Sequence, residues 1–580
     1  MTTAIDELLA GLASFDTRPA IESPDRLIDY AELIDEVDAL ADRLRLEAGA
    51  VAGSRVLIST HHSAGTVIAM LACARAHLTY VPVPSEIPAA RLAHIRDVVQ
   101  PVAHLEDSAH ALVVEKLERS GSYGIPRNAR MPAVVPLAVL HTSGSTGTPK
   151  SVLIAHENLD HFLRWCQAAL PLDGGDRVAL LSPLHFDLCT HDIFHGLGSG
   201  ATLVLPSDFT RTSPQAASAF IDSTATTSAY MVPTFLERVA QSALRSGTDA
   251  RSIRRVMFAG ERLTNRGRRL VEKAYPDAEL HNLYGPIETN VITAVRLDRD
   301  HRHNSSEVGS ALPGVTLRVR PPGGTLAESG RGELVAAGTA VTPGYLDSHQ
   351  NAQRLFDAEG QRWYRTGDEA TLSGGSVYLH GRMDNMVKIR GQRVELEEIE
   401  TTIDGLHTVE KAAVIVGTSG DSVDAYIEVA TSASAAEPGQ IQVQIVEYCR
   451  KLLPSVAVPG SVRVLPEMPV TATGKVDRQA LKALRAQSTP HLPEGSARPS
   501  RTTSPAQLIA HHLAQHLGSA PAELKALRAL RDHPRFNSMV AAQCIEAVED
   551  HLGRAADYDK FTDKSLETIA SMGELFAHHD

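Results

Sequence analysis

The chain has 580 residues, 43% of them hydrophobic, and a formal charge of −13. That length exceeds what one hydrophobic core supports and implies about three domains, while the acidic balance argues against a nucleic-acid partner, whose phosphates demand clustered positive charge. Cys73, Cys166, Cys189, Cys449 and Cys544 show neither paired spacing nor CxxC, no apolar run reaches membrane-spanning length, and the first residues lack a basic n-region. No disulfide framework, zinc site, membrane span or targeting segment is expected, and the expected compartment is the reducing cytoplasm.

In chain order, residues 30–47 place apolar side chains at helical spacing, 56–59 read as a short strand, 66–76 as a helix of small residues and 80–83 as another strand. This alternation is βαβ grammar and predicts a parallel, helix-covered sheet that binds ligands at the carboxyl ends of its strands. Residues 134–140 form an apolar run that reads as a strand delivering the loop His141-Thr142-Ser143-Gly144-Ser145-Thr146-Gly147-Thr148-Pro149-Lys150, and 151–154 resume a strand after it. Small residues let backbone N–H groups turn towards phosphate oxygens, Ser and Thr hydroxyls add donors, and Lys150 adds charge. A Walker A reading fails, because Pro149 stands where that motif needs its second glycine and a strand rather than a helix follows.

Further along, Phe186-Asp187 sets a carboxylate inside an otherwise apolar stretch. Such a group needs a cation or donors to be tolerated, or it caps a helix starting at Leu188. The basic run 262–269 reads as a solvated helix face. Four more stretches stand out: Asn282-Leu283-Tyr284-Gly285-Pro286-Ile287-Glu288-Thr289, then Tyr364-Arg365-Thr366-Gly367-Asp368, then residues 381–391 from Gly381-Arg382 to Arg390-Gly391, and Thr473-Gly474-Lys475-Val476-Asp477-Arg478. Residues 487–505 are rich in Ser, Thr, Pro and Arg and read as a flexible linker. Beyond it, Leu508, Ile509, Leu513 and Leu517 are spaced for one amphipathic helix, and Met539, Val540, Cys544, Ile545, Val548 and Leu552 for another, with Ser538 at its start.

The phosphate-type loop and the four later stretches, in this order and approximate spacing, resemble the signatures of the adenylate-forming superfamily over roughly residues 1–485. The resemblance is to its amino-acid adenylation domains, and it implies ATP and Mg²⁺ as cofactors. Thr142, Ser143, Gly144, Ser145, Thr146, Gly147 and Lys150 would then handle phosphate. Tyr284 and Gly260 would sandwich the adenine, with Glu261, Asn282, Gly285 and Thr289 around the nucleotide. Asp368 would accept both ribose hydroxyls, Arg382 would reach ribose or phosphate, and Glu288 would contact Mg²⁺ as a hard oxygen ligand. Lys475 would swing in from a mobile subdomain to hold the carboxylate and bridging oxygen, with Asp384 as the hinge that exchanges Lys475 for the Gly391 region when a thiol attacks.

By the same resemblance Asp187 pairs with a substrate α-ammonium, while Leu188, His191, Tyr230, Met257, Ala259, Leu283, Val291 and Ile292 line the side-chain cavity. Apart from His191 that lining is apolar and suits a small aliphatic substrate. The combination is similar to domains that take L-proline, with serine, alanine and glycine as alternatives. The tail resembles a peptidyl carrier domain whose serine, Ser538, receives 4′-phosphopantetheine, although Asn537 replaces the usual aspartate.

The expectation is therefore an α/β protein: an adenylation core of packed sheets with helices (1–383), a mobile α+β subdomain (384–485), a linker (486–503) and an all-α carrier-like bundle (504–580). Its implied activity is a ligase that forms aminoacyl-AMP and loads a phosphopantetheine thiol in nonribosomal-peptide or pyrrole-type biosynthesis. The implied partners are the amino acid, its own or a separate carrier, a phosphopantetheinyl transferase and downstream biosynthetic enzymes, with no nucleic acid and no membrane. Loading of a separate carrier or coenzyme A is the alternative, and a non-catalytic nucleotide-binding scaffold is a further one.

Overall fold

The computed structural model describes residues 3–580 except 25, 109–110, 118–134, 143–148, 248–250, 299–305, 348–350, 352, 384–385, 407, 418–419, 430–437, 470–475, 488–503, 518–523, 525–528, 531–537, 553–555, 557–565, 567 and 577–580. Ser143, Gly144, Ser145, Thr146, Gly147, Asp384 and Lys475 thus lie outside the described residues, as does nearly all of the expected linker.

The expected βαβ alternation is present. Asp29 caps the helix Tyr30–Leu46 by accepting the Glu32 N–H at 2.8 Å, and Ser63 caps Ala64–Arg75 in the same way through Thr66. The second helix is buried on almost every side, which explains its run of small and apolar residues. Strands Arg55–Thr60, Thr79–Pro84 and Ala103–Ser108 pair in parallel, and Thr79–Pro84 also pairs in parallel with Pro136–Thr142. Antiparallel Lys150–Ala155 and Gly344–Tyr345 complete one side of this seven-stranded sheet. Thr142 therefore sits at a strand's carboxyl end, where a parallel sheet presents its ligands.

A second sheet of 14 strands has a parallel half built from Glu279–Tyr284, Arg255–Phe258, Ser228–Met231, Arg177–Ala179, Thr202–Val204 and Pro19–Glu22. An antiparallel half runs on through Thr293–Leu297, Glu307–Ala311, Ser376–Arg382, Gln361–Ser373, Gly330–Gly338 and Val315–Arg320. One apolar core that includes Ile58, Tyr80, Val178 and Leu203 fills the space between the two sheets.

After residue 385 a short hairpin, Met386–Ile389 and Gln392–Glu395, turns on Arg390 and Gly391, both at positive φ (51° and 76°), the geometry of a type I′ turn. Helix Leu396–Asp404, the sheet Val409–Val416, Val423–Val429 and Ser461–Leu465, and helices Pro438–Leu452 and Arg478–Gln487 form the expected α+β subdomain around its own core. Helices Pro505–Leu517, Ser538–Leu552 and Ile569–Glu574 share a third core, through Leu508, Leu513, Ile545 and Met572, that also takes in Phe209 and Ala216 of the N-terminal part. Among the described residues no helix is long and apolar enough to cross a membrane.

Candidate active site

A cavity of about 390 Å³ opens where the two sheets, the antiparallel extension and the hairpin meet. One corner of the cavity is set by strand register. Asp368 and Arg382 stand directly opposite on antiparallel strands, and Arg382 Nη1 donates to Asp368 Oδ1 at 3.1 Å and to the Thr366 carbonyl at 2.7 Å. Tyr284 donates its hydroxyl to Asp368 Oδ2 at 2.6 Å. Gly260, at φ 93°, and Gly285 line the cavity beside them. Gly285 has no substitute: a Cβ there would lie 1.5 Å from the Asn290 carbonyl oxygen. Asn282 and Thr289 make hydrogen bonds within the frame. Asn282 donates to the Glu307 carbonyl at 3.1 Å and Thr289 to that of Pro286 at 3.1 Å, and neither lines the cavity.

At the other end are Asp187, Leu188, Phe162, Tyr230, Ala259 and Val291. Burial pushes the Asp187 carboxyl up to about 6, and the nearby Lys388 ammonium partly opposes this. Met257 and Leu283 pack in the same apolar cluster as Tyr230, Ala259 and Val291 but stand behind the wall, and Ile292 belongs to the neighbouring cluster around Tyr284. His191 also lies behind. Its Nδ1 is 2.9 Å from Asp192 Oδ1 within a π-helical turn, His191–Gly196, its ring meets Tyr230 edge-on at 6.0 Å, and burial lowers it to about 3. Burial raises Asp192, so both partners favour their neutral forms.

The hairpin engages Lys150, Glu261 and Glu288. Lys150 Nζ lies 3.2 Å from Glu395 Oε1, and the Gly391 N–H donates to Glu261 Oε1 at 2.7 Å while Thr234 binds the other oxygen of Glu261. Glu288 accepts Arg393 Nη1 on both oxygens, at 2.7 and 2.9 Å, and the Tyr345 hydroxyl at 2.7 Å. Burial alone would raise the Glu288 carboxyl, but the Arg393 guanidinium and the Tyr345 donor outweigh it and hold it at about 2. Buried Arg91 and Glu398 close the seam at 2.9 Å. Among the described residues no group of three or more His, Cys, Asp or Glu is placed to hold a metal ion. A single buried carboxylate suits Mg²⁺, which completes its shell from substrate phosphates and water. Arg393 occupies the carboxylate here, so an ion at Glu288 would have to displace the guanidinium.

Sequence reading missed Phe162, Lys388, Arg393, Arg91, Glu395 and Glu398. Lys388 falls inside the quoted stretch 381–391, so its proximity to the site was readable; the ion-pair partners carry no local signal.

The AMP-binding enzyme family matches residues 11–346, and the AMP-binding enzyme C-terminal domain matches residues 398–475. The L-proline--[L-prolyl-carrier protein] ligase of Streptomyces coelicolor is 32% identical over 525 residues, covering 84% of this chain and 97% of that protein. The D-alanine--D-alanyl carrier protein ligase of Staphylococcus aureus is 28% identical over 495 residues, covering 83% and 99%. The Vibrio cholerae adenylation domain AlmE, solved with glycyl-adenosine-5′-phosphate, has a TM-score of 0.73 at 24% identity, covering 84% of this chain and 98% of that one. Holo-PA1221, an NRPS protein containing adenylation and PCP domains, has a TM-score of 0.74 at 21% identity and covers 99% of this chain and 96% of its own. At these identities the two structures speak for the fold, and the second does so into the C-terminal helices.

Proposed function

The chain belongs to the AMP-binding enzyme family of adenylate-forming ligases, and on that premise we propose that it activates a small amino acid, L-proline, as its adenylate and then forms a thioester on 4′-phosphopantetheine carried by Ser538. The observation that carries the reading is a single cavity with Asp187 at an apolar end and Asp368 with Arg382 at the other. The relatives named for L-prolyl- and D-alanyl-carrier ligation support a small amino acid and a carrier acceptor.

In the first step a carboxylate oxygen attacks the α-phosphorus of ATP and pyrophosphate leaves. Asp187 pairs with the α-ammonium and fixes the attacking carboxylate, the wall from Phe162 to Val291 excludes water, and Tyr284, Asp368 and Arg382 hold the nucleoside. Glu288 would hold Mg²⁺, which supplies charge neutralisation at the phosphates. Lys475 would add charge where it develops.

In the second step the thiol sulfur attacks the acyl carbon, the bond to the AMP oxygen breaks, AMP leaves and the thiol proton is released. The hairpin belongs to this step. It engages Glu288 and Lys150, the groups that Mg²⁺ and the phosphates would need, so it would enter only once pyrophosphate has gone.

The test combines pyrophosphate exchange across the proteinogenic amino acids with intact mass after treatment with a phosphopantetheinyl transferase, coenzyme A and ATP. L-Proline should exchange fastest, and the wild type should gain one arm and then one prolyl group. Ser538→Ala should gain neither while still exchanging. A preference for serine, glycine or an aromatic acid overturns the substrate, and a wild-type protein that never takes the arm overturns the fused carrier in favour of a separate one.

A further inference from the structure

Among the described residues, four arginines and one lysine line the large cavity. Each arginine is tied to a carboxylate: Arg91 to Glu398 at 2.9 Å, Arg211 to Asp208 at 3.1 Å, Arg382 to Asp368 at 3.1 Å and Arg393 to Glu288 at 2.7 Å. Lys388 differs. Its ammonium has no hydrogen-bond or ion-pair partner among the described residues.

Strand register explains how it comes to stand there. Lys388 lies directly opposite Arg393 in the hairpin, so the two cations share one face of the strand pair, and both line the cavity. Like charges directly opposite destabilise such a pair. At Arg393 the cost is offset by the bidentate Glu288, whereas at Lys388 no fixed group offsets it. Burial pushes the Lys388 ammonium below its ordinary value; the Asp368 charge opposes this, Arg393 and Arg382 add to it, and Asp187 opposes it again. A half-buried cation left in this state calls for an anion. The two carboxylates say where that anion lies. Lys388 feels Asp368 at one end of the cavity and Asp187 at the other. It therefore stands over the middle, where an adenylate held by its ammonium and its ribose would put the acyl-phosphate linkage.

We propose that Lys388 is a further catalytic residue, acting in thioester formation: its ammonium holds the phosphate of the adenylate and stabilises the charge which that phosphate gains as AMP leaves. The assignment rests on the thioester-forming reading above. The sulfur bonds to the acyl carbon, the bond from that carbon to the AMP oxygen breaks with its electron pair on the oxygen, and the thiol proton goes to water. The phosphate passes from one negative charge to two, and a fixed cation favours the second state over the first. Because the hairpin carries Lys388, this cation serves the second step and not the first.

Single-turnover transfer from preformed adenylate to pantetheine, followed by mass, tests this in the full-length protein without requiring Ser538 to be modified. Pyrophosphate exchange is measured in the same preparations. Lys388→Met, close in length and neutral, should lower the transfer rate at saturating pantetheine by about a hundredfold, the scale of one lost charge-stabilising donor. The KM for pantetheine should change little and exchange should fall far less than transfer. Lys388→Arg keeps the cation and should recover most of the rate. A Lys388→Met rate within threefold of wild type, or an equal loss in exchange, overturns the assignment. So does an arginine variant as slow as the methionine one, because the amine would then act by accepting a proton, which a guanidinium does not do. If pyrophosphate exchanges but the wild type acylates no thiol, the thioester reading itself fails and Lys388 loses its role with it.

Discussion

Arg393 Nη1 donates to both carboxylate oxygens of Glu288, at 2.7 and 2.9 Å, and so occupies the buried carboxylate proposed above for Mg²⁺. On the proposed function, this pair would make the two half-reactions exclusive in space. On the proposed reading, Mg²⁺ would take Glu288 when the hairpin is out, whereas Arg393 takes it in this structure, with the hairpin in. Arg393→Ala should therefore slow thioester transfer by tenfold or more, about 1.4 kcal/mol, and affect pyrophosphate exchange far less. Parallel assays of the two steps decide it, and equal losses in both would contradict the role. The tie should also be insensitive to pH in the working range. The Glu288 carboxyl is depressed to about 2, so its contribution is complete above the ordinary value of 4.5 and is lost only as pH falls towards 2.

Asp187 behaves in the opposite sense. Its carboxyl is raised to about 6 by burial, so the empty site favours the protonated form up to that pH and the ionised form is the strained one above it. A bound ammonium relieves that strain and needs the ionised carboxylate. The amino-acid KM should rise about tenfold per pH unit below about 6 while the KM for ATP stays flat. Asp187→Asn should raise the amino-acid KM by orders of magnitude and abolish the slope; a slope retained in that variant would place the titrating group elsewhere.

Arg91 and Glu398 meet at 2.9 Å with side chains 8% and 0% exposed. Removing one partner of such a buried pair leaves an uncompensated charge at a cost on the order of 3–5 kcal/mol. Glu398→Ala should thus disfavour the hairpin-in arrangement, cut thioester transfer by at least a hundredfold and leave ATP binding intact. Single-turnover transfer from preformed adenylate measures this, and a rate within threefold of wild type would show that the pair does not hold the arrangement.

Gly285 packs its backbone closely against the Asn290 carbonyl, next to Tyr284, whose hydroxyl binds Asp368. With a Cβ only 1.5 Å from the Asn290 carbonyl oxygen, Gly285→Ala must move the turn. The expected outcome is a raised KM for ATP and a thermal stability lower by about 2 kcal/mol, within the range for overpacking against a fixed wall. Calorimetry and ATP kinetics check it, and wild-type values in both would mean that the turn yields freely.

The sequence by itself determined what local chemistry can encode. Periodicity gave the βαβ order and the helix beginning at Ser538, because burying one face at a fixed residue spacing is a local constraint. The quoted stretches pointed to Asp187, Tyr284, Asp368 and Arg382, of which Asp187, Asp368 and Arg382 line one cavity and Tyr284 binds Asp368 beside it. The tertiary structure alone decided which charges meet. Glu288 and Arg393 are 105 positions apart, and Arg91 and Glu398 are 307 apart. Nothing near either residue marks its partner, because an ion pair depends on where the subdomain sits against the core. Packing within the core itself set His191 and Met257 behind the cavity wall and brought Phe162 into it. Side-chain direction there is set by a π-turn and by two sheets packing on one core, neither of which leaves a periodic trace in the chain.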